Sequence, residues 1–117
     1  MDKIAEVRLF VDRLEFVMDM FETCLGFERL SESKKLVSTM KMKSGTEIVL
    51  YDSRQVYKEG DKILKIIVDD QDVDKLKTFL ESHNEKFYYK EKHEYGISRV
   101  LNWQMDNGSM IDFSSID

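Results

Sequence analysis

A chain of 117 residues is long enough for one domain with a proper core and too short for two independent ones. With 42% apolar and 35% charged residues it has an ordinary folded balance, and no apolar run approaches the roughly 18 residues that span a bilayer. The net charge of −5 argues against nucleic acid, which normally demands a basic face. Ile4 to Val11 then reads as a strand, with Val7, Leu9 and Val11 alternating with Glu6, Arg8 and Phe10. Asp12 to Leu25 reads as an amphipathic helix. Asp12 is placed to cap it, Glu15 to close a capping box, and Val11 and Phe16 to staple its entry. Leu14, Val17, Met18, Phe21 and Leu25 form its apolar stripe, and Gly26 supplies a left-handed stop. Short strands are predicted over Phe27–Leu30, Leu36–Lys43 and Thr46–Tyr51, and residues 52–61 read as a linker.

The pattern then starts again. Lys62 to Asp69 is a strand, Asp70 or Asp72 caps a helix bearing Val73, Leu76, Phe79 and Leu80, and Asn84 can take a left-handed position at its end. Strands follow over Phe87–Lys92, Ser98–Met105 and Met110–Ser114, the last two joined at Asn107-Gly108, the strongest hairpin dipeptide in the chain. Strand, helix, strand, strand, strand occurs twice, with Phe27 and Phe87 60 residues apart. The expected domain is therefore a single one over 1–117, with modules at 1–58 and 59–117. Each module is expected to bury one sheet face under its helix through Val7, Leu9, Val11, Ile48 and Leu50, or Leu64, Ile66, Val68, Ile111 and Phe113. The two second faces are expected to curl into a shared trough fit for a small molecule.

This paired arrangement, with a first helix ending Phe-Glu-Thr-Cys-Leu-Gly-Phe, resembles the glyoxalase/bleomycin-resistance/dioxygenase family, the vicinal oxygen chelate superfamily. Val11-Asp12 and Leu25-Gly26-Phe27 match its first helix. Met105 to Phe113 fill the place of its closing loop and acid-bearing strand, without the usual first Asp or the Pro. The resemblance implies an α+β fold of two βαβββ modules in an open, U-shaped mixed sheet around a cavity, usually in a homodimer. Catalytic members hold a divalent metal through the first strand of each module and the last strand. Those positions fall here on Glu6, Ile63 and Asp112, with Glu47 as an additional one. Ile63 cannot bind a metal, and the usual imidazoles are missing, since His83 falls at a helix end and His93 in or near a loop.

Glu6, Glu47 and Asp112 have three readings: a salt-bridge network with Arg8 and Lys65, a polar ligand site, or an all-carboxylate site for Mg²⁺ or Mn²⁺. Arg8 and Lys65 suit an anionic ligand. The acid excess, all of it within residues 59–117, suits a cationic one or is a solvated surface. Phe10, Tyr51, Tyr95 and Trp103 are aromatic candidates for stacking a flat cation, or ordinary sheet aromatics, with the facing of Trp103 open. Met40, Met42 and Met110 line the trough or fill the core. Cys24 falls on the apolar stripe as a buried thiol.

The expected function is metal-free binding of a small organic molecule, in the manner of drug or metabolite sequestration by antibiotic-resistance members. The candidate ligand-binding residues are Glu6, Arg8, Phe10, Glu47, Tyr51, Lys65, Trp103 and Asp112. The alternatives are a metal-dependent lyase or dioxygenase-like enzyme, and a structural or regulatory dimer without ligand. No cofactor is expected. The chain is also expected to be a cytoplasmic homodimer with neither nucleic acid nor membrane as partner, since Met1-Asp2-Lys3-Ile4 begins no secretory signal.

Overall fold

Alternation of apolar and polar side chains makes a strand two-faced, and a 3.6-residue stripe makes a helix one-sided. In the computed structural model, which describes residues 6–30, 37–52, 63–94 and 96–116, both devices occur twice. The chain divides into two compact units, Met1–Gly60 and Asp61–Asp117.

The first unit contains β1 (Glu6–Val11), α1 (Leu14–Leu25), β2 (Glu28–Arg29), β3 (Val37–Lys41) and β4 (Glu47–Asp52). The second contains β5 (Ile63–Val68), α2 (Asp70–Ser82), β6 (Tyr88–Glu94), β7 (Ile97–Gln104) and β8 (Met110–Ile116). Each forms a four-stranded mixed sheet, in the orders β1-β4-β3-β2 and β5-β8-β7-β6. In each, the first and last strands pair in parallel and the remaining pairs are antiparallel.

One face of each sheet is the core. In the first unit Leu9, Val11, Met40, Ile48 and Leu50 are buried with the α1 stripe of Leu14, Val17, Met18, Met20, Phe21, Cys24 and Leu25. In the second, Ile66, Leu101, Trp103, Ile111 and Phe113 are buried with Val73, Leu76 and Leu80 of α2. Val7 and Leu64 are half-buried near the strand starts. Met40 is therefore core and does not line a trough. Its partner across the strand is Ile48, on the helix-packed face.

The helix ends differ from the sequence expectation at their starts. Arg13, not Asp12, is the N-cap of α1, and no side chain caps it, so the capping box does not form. Asp69 is the N-cap of α2, in place of Asp70 or Asp72. The stops are as expected. Gly26 adopts φ 69°, its N–H donates to Glu22 O, and Phe27 N–H reaches Phe21 O at 3.2 Å. The Phe27 ring packs on Phe21 at 5.4 Å between centroids, the apolar contact that accompanies such a stop. Asn84 ends α2 at φ 56°.

Both β3–β4 and β7–β8 are joined by the same turn. Met42 N–H donates to Thr46 O and Gly45 N–H to Met42 O, while Met105 N–H donates to Ser109 O and Gly108 N–H to Met105 O. Gly45 and Gly108 hold φ 93° and 92°. This is a three-residue loop with its glycine in the left-handed position, rather than a two-residue turn centred on Asn107-Gly108. Asn107 serves by side chain instead, its Oδ1 accepting from Ser109 N–H at 3.0 Å.

At Gly26 a Cβ would stand 3.2 Å from Lys43 Cε at a backbone angle that L side chains avoid. Gly26→Ala should lower stability by about 1–2 kcal/mol, read as a lower urea midpoint at unchanged slope, with Gly26→Asn losing less. An unchanged midpoint in the alanine variant would contradict the strain.

Candidate functional site

A helix can cover only one face of its sheet, so each unit retains a second, helix-free face. The strand register assigns its members. In the first unit three cross-strand rows follow from it: Glu6, Glu47 and Lys41; Arg8, Val49 and Thr39; Phe10, Tyr51 and Val37. The Phe10 and Tyr51 rings stack at 4.9 Å between centroids and 23° between planes. Arg8 and Glu47 are exposed.

In the second unit the corresponding rows are Ile63, Met110 and Gln104; Lys65, Asp112, Asn102 and Tyr88; Ile67, Ser114, Val100 and Lys90. The middle row crosses all four strands and places a cation, a carboxylate, an amide and an aromatic ring side by side. Neighbouring strands lie roughly 4.8 Å apart, so the row is about 14 Å long. Lys65 and Tyr88 at its ends are exposed, and Asp112 and Asn102 between them are half-buried. At the β6–β7 end lies a cleft of about 550 Å³ bordered by Tyr88, Asn102, Gln104, Met105, Asp106 and Lys86. Beside the row, Ser114 is 1% exposed, and among the described residues neither its Oγ nor Asp112 Oδ1 has a hydrogen-bond partner.

The sequence-nominated residues separate on this frame. Glu6, Arg8, Phe10, Glu47 and Tyr51 occupy helix-free register positions of the first sheet, and Lys65 and Asp112 those of the second. Trp103 does not. It stands on the helix-packed face opposite Ile111, is 1% exposed, and donates from Nε1 to Glu85 Oε1 at 3.2 Å. It is a core residue of α2's sheet and is removed from the ligand-facing set. Tyr95 lies outside the described residues.

Lys65 and Asp112 are Cα partners, and among the described residues Asp112 Oδ1 has no hydrogen-bond partner. Asn102, Tyr88 and Ser114 were not nominated. Their only sequence signal was position in an alternating strand, and membership of the row depends on pairing partners far away in the chain.

The equivalence of the two units bears on the metal positions. Glu6 and Glu47 begin the β1–β4 pairing, and the residues that begin the β5–β8 pairing are Ile63 and Met110. Asp112 occupies the next row, opposite Lys65. Among the described residues no group of three or more His, Cys, Asp or Glu side chains is gathered as a metal would require.

The helix-packed sides carry a second kind of charge cluster. Arg99 on β7 donates to Asp70 Oδ1 at 2.9 Å and to Asp74 Oδ1 at 2.7 Å, and also to the Asp70 carbonyl. Ser115 Oγ donates to the same Asp70 oxygen at 3.1 Å. Arg29 on β2 likewise meets Glu15, Asp19 and Glu22 along α1. Donating to Asp74 and Asp70 holds the Arg99 guanidinium protonated beyond its ordinary range, and accepting from Arg99 pulls both carboxyls down. With all three guanidinium nitrogens of each bonded to helix oxygens, each arginine ties sheet to helix.

These contacts set this molecule beside known ones. No family model matches the sequence, and no curated protein matches it. Solved structures do match. Lactoylglutathione lyase from Agrobacterium tumefaciens aligns over 98% of this chain and 94% of its own, with a TM-score of 0.68 at 16% identity. The genomically encoded fosfomycin resistance protein FosX from Listeria monocytogenes aligns over 100% and 93%, with a TM-score of 0.71 at 9% identity. The chain has the glyoxalase/bleomycin-resistance/dioxygenase fold. TioX from Micromonospora sp. ML1 shares this fold over 99% of this chain and all of its own, at 14% identity and a TM-score of 0.66. At such identities the likeness establishes the fold, and the residues must supply the chemistry.

Two measurements check this description. Because the carboxyls of Asp70 and Asp74 titrate below the ordinary 3.8, their contribution to stability is complete above that pH. It is lost as pH falls through their lowered folded values. The urea midpoint should therefore drop below about pH 4, and less steeply in an Asp70→Asn/Asp74→Asn double variant. The emission of Trp103, the only tryptophan, should resist acrylamide quenching until the chain unfolds. Ready quenching of the folded protein would place the ring outside the core.

Proposed function

We propose that this chain binds a small organic molecule on the helix-free side of its sheets, without a resident metal ion. The row Lys65–Asp112–Asn102–Tyr88, leading into the cleft beside Tyr88, carries the reading. It combines a few convergent polar groups with an aromatic wall and a volume of about 550 Å³, within the usual range of small-molecule sites. The stacked Phe10–Tyr51 pair gives the first unit an aromatic surface of its own on the same kind of face.

The donor chemistry supports binding without a metal. A hard divalent cation needs several oxygen ligands, and the second-unit row equivalent to Glu6–Glu47 offers an isoleucine and a methionine. The next row offers a single carboxylate, Asp112, beside a lysine, too few anionic oxygens for such a cation. This set does not fit a divalent metal of the kind the fold's catalytic members hold. FosX, one of the proteins of similar fold, is a fosfomycin resistance protein, and a drug or metabolite is the class of ligand proposed here. A homodimer, implied by the family resemblance, belongs to the same proposal.

Thermal-shift titration against a panel of small aromatic amines, acids and amides should reveal stabilising ligands, about 2.7 kcal/mol being gained at one hundred times Kd. Tyr88→Ala, at an exposed position, should weaken a hit about tenfold at an unchanged melting temperature without ligand. Mn²⁺, Ni²⁺ and Zn²⁺ should produce no comparable shift. A flat panel would defeat the binding reading, and stoichiometric metal that is lost in Asp112→Ala would defeat the metal-free one.

A further inference from the structure

Resting on that reading, we infer that the ligand presents a cationic hydrogen-bond donor, an amidine or amine, to Asp112, and lays the flat ring that carries it against Tyr88. The second unit's helix-free face holds two side-chain oxygens whose hydrogen-bonding capacity is unmet among the described residues. Asp112 and Ser114 are two residues apart on β8 and so point to the same side. Asp112 Oδ1 and Ser114 Oγ are both out of water without a partner. Native structures rarely leave such atoms unsatisfied, because burial removes their hydrogen bonds to solvent and returns nothing. An ionised carboxylate accepts only, so a donor is what it lacks.

The neighbours do not supply one. Lys65, the β5 partner of Asp112, is exposed, and among the described residues no donor reaches Asp112 Oδ1. Asn102, the partner on the other side, is part of the cleft border. This asymmetry decides the sign of the ligand. Water satisfies the exposed lysine, whereas the half-buried carboxylate carries the desolvation cost, so a ligand cation removes the larger penalty. An acid seeking Lys65 would meet Asp112 in the same row.

Geometry narrows the class further. Asp112 and Tyr88 are two strands apart, roughly 10 Å by the usual strand spacing, which a single ring with a short cationic arm spans. An amidine offers two parallel N–H groups to a carboxylate, the arrangement that makes guanidinium–carboxylate pairs strong. Tyr88 stands 61% exposed at the cleft edge, an unusual position for so large a ring and one that leaves its face open for stacking. Lys86 and Asp106 on the cleft border offset one another in charge.

Benzamidine, benzamide and benzoate share the ring and differ in the group delivered to the row. Titrated separately into the full chain and followed by amide chemical shifts, benzamidine should bind about tenfold more tightly than benzamide, with benzoate weakest. Asp112→Asn should bring benzamidine to within about threefold of benzamide, and Ser114→Ala should weaken benzamidine alone. Lys65→Gln, at an exposed site, should strengthen benzamidine two- to threefold, which keeps the test sharp should Asp112→Asn fail to fold. Equal binding of all three, tightest binding of benzoate, or no benzamidine binding would overturn the inference. If other members of the broader panel still bind, those outcomes leave ligand binding on this face standing. A flat broader panel removes both.

Discussion

One helix per sheet is the constraint on which this molecule depends. A four-stranded sheet has two faces, and each unit supplies a single amphipathic helix of twelve or thirteen residues to cover one of them. The covered face collects Leu9, Ile48 and Leu50, or Ile66, Ile111 and Phe113, and is dry. The uncovered face inherits the alternate residues, among them Arg8, Lys65 and Asp112. The polar rows of Asp112 and Arg8 are thus consequences of the same pleat that builds the core. Packing and chemistry occupy opposite sides of the same strands.

Holding the helix in place is then a functional requirement as well as a stabilising one. Both units meet it similarly, with a strand arginine reaching across to helix carboxylates. Arg29 meets three acids spaced along α1, and Arg99 engages Asp70 and Asp74 in the first turns of α2. Ion pairs at a surface are usually weak, but a guanidinium with several of its donors engaged in fixed geometry is the favourable case. Asp70 also suits the first turn of α2, where the helix dipole favours negative charge. Asp70 therefore leaves the N-cap position to Asp69 and serves the strand instead.

Much of this architecture was legible before any coordinate. Repeated order, the α1 stripe, the stop at Gly26 and the alternation of Leu64, Ile66 and Val68 are local signals, and local signals survive folding. The features that differed were single-residue details of caps and turns, or depended on partners distant in sequence. Asp12 looked like a cap because its spacing to Glu15 was right, yet the helix starts one residue later and Asp12 is buried. Trp103 could not be assigned a face, since Leu101, Trp103 and Met105 are apolar while the intervening Val100 is apolar too. Its pairing with Ile111 settles the matter. Met40 looked like either wall or core for the same reason. The row through Asp112 was invisible, since four residues from four strands are neighbours only after the sheet is built.

The twin turns at Gly45 and Gly108 do more than reverse the chain. Each sets the phase of the last strand against the one before it, and through that strand the phase of the parallel pair. A turn lengthened by one residue would exchange the dry and wet sides of β8, sending Asp112 inward and Phe113 out. A slide of two residues keeps each side where it is but moves the acid by one pleat repeat, roughly 6.6 Å, into line with Ile63. The distance between a carboxylate that faces a lysine and one that shares a row with the first-strand position is therefore a single step of register. In a scaffold of this kind, the length of a hairpin loop is a setting for which chemistry the sheet displays.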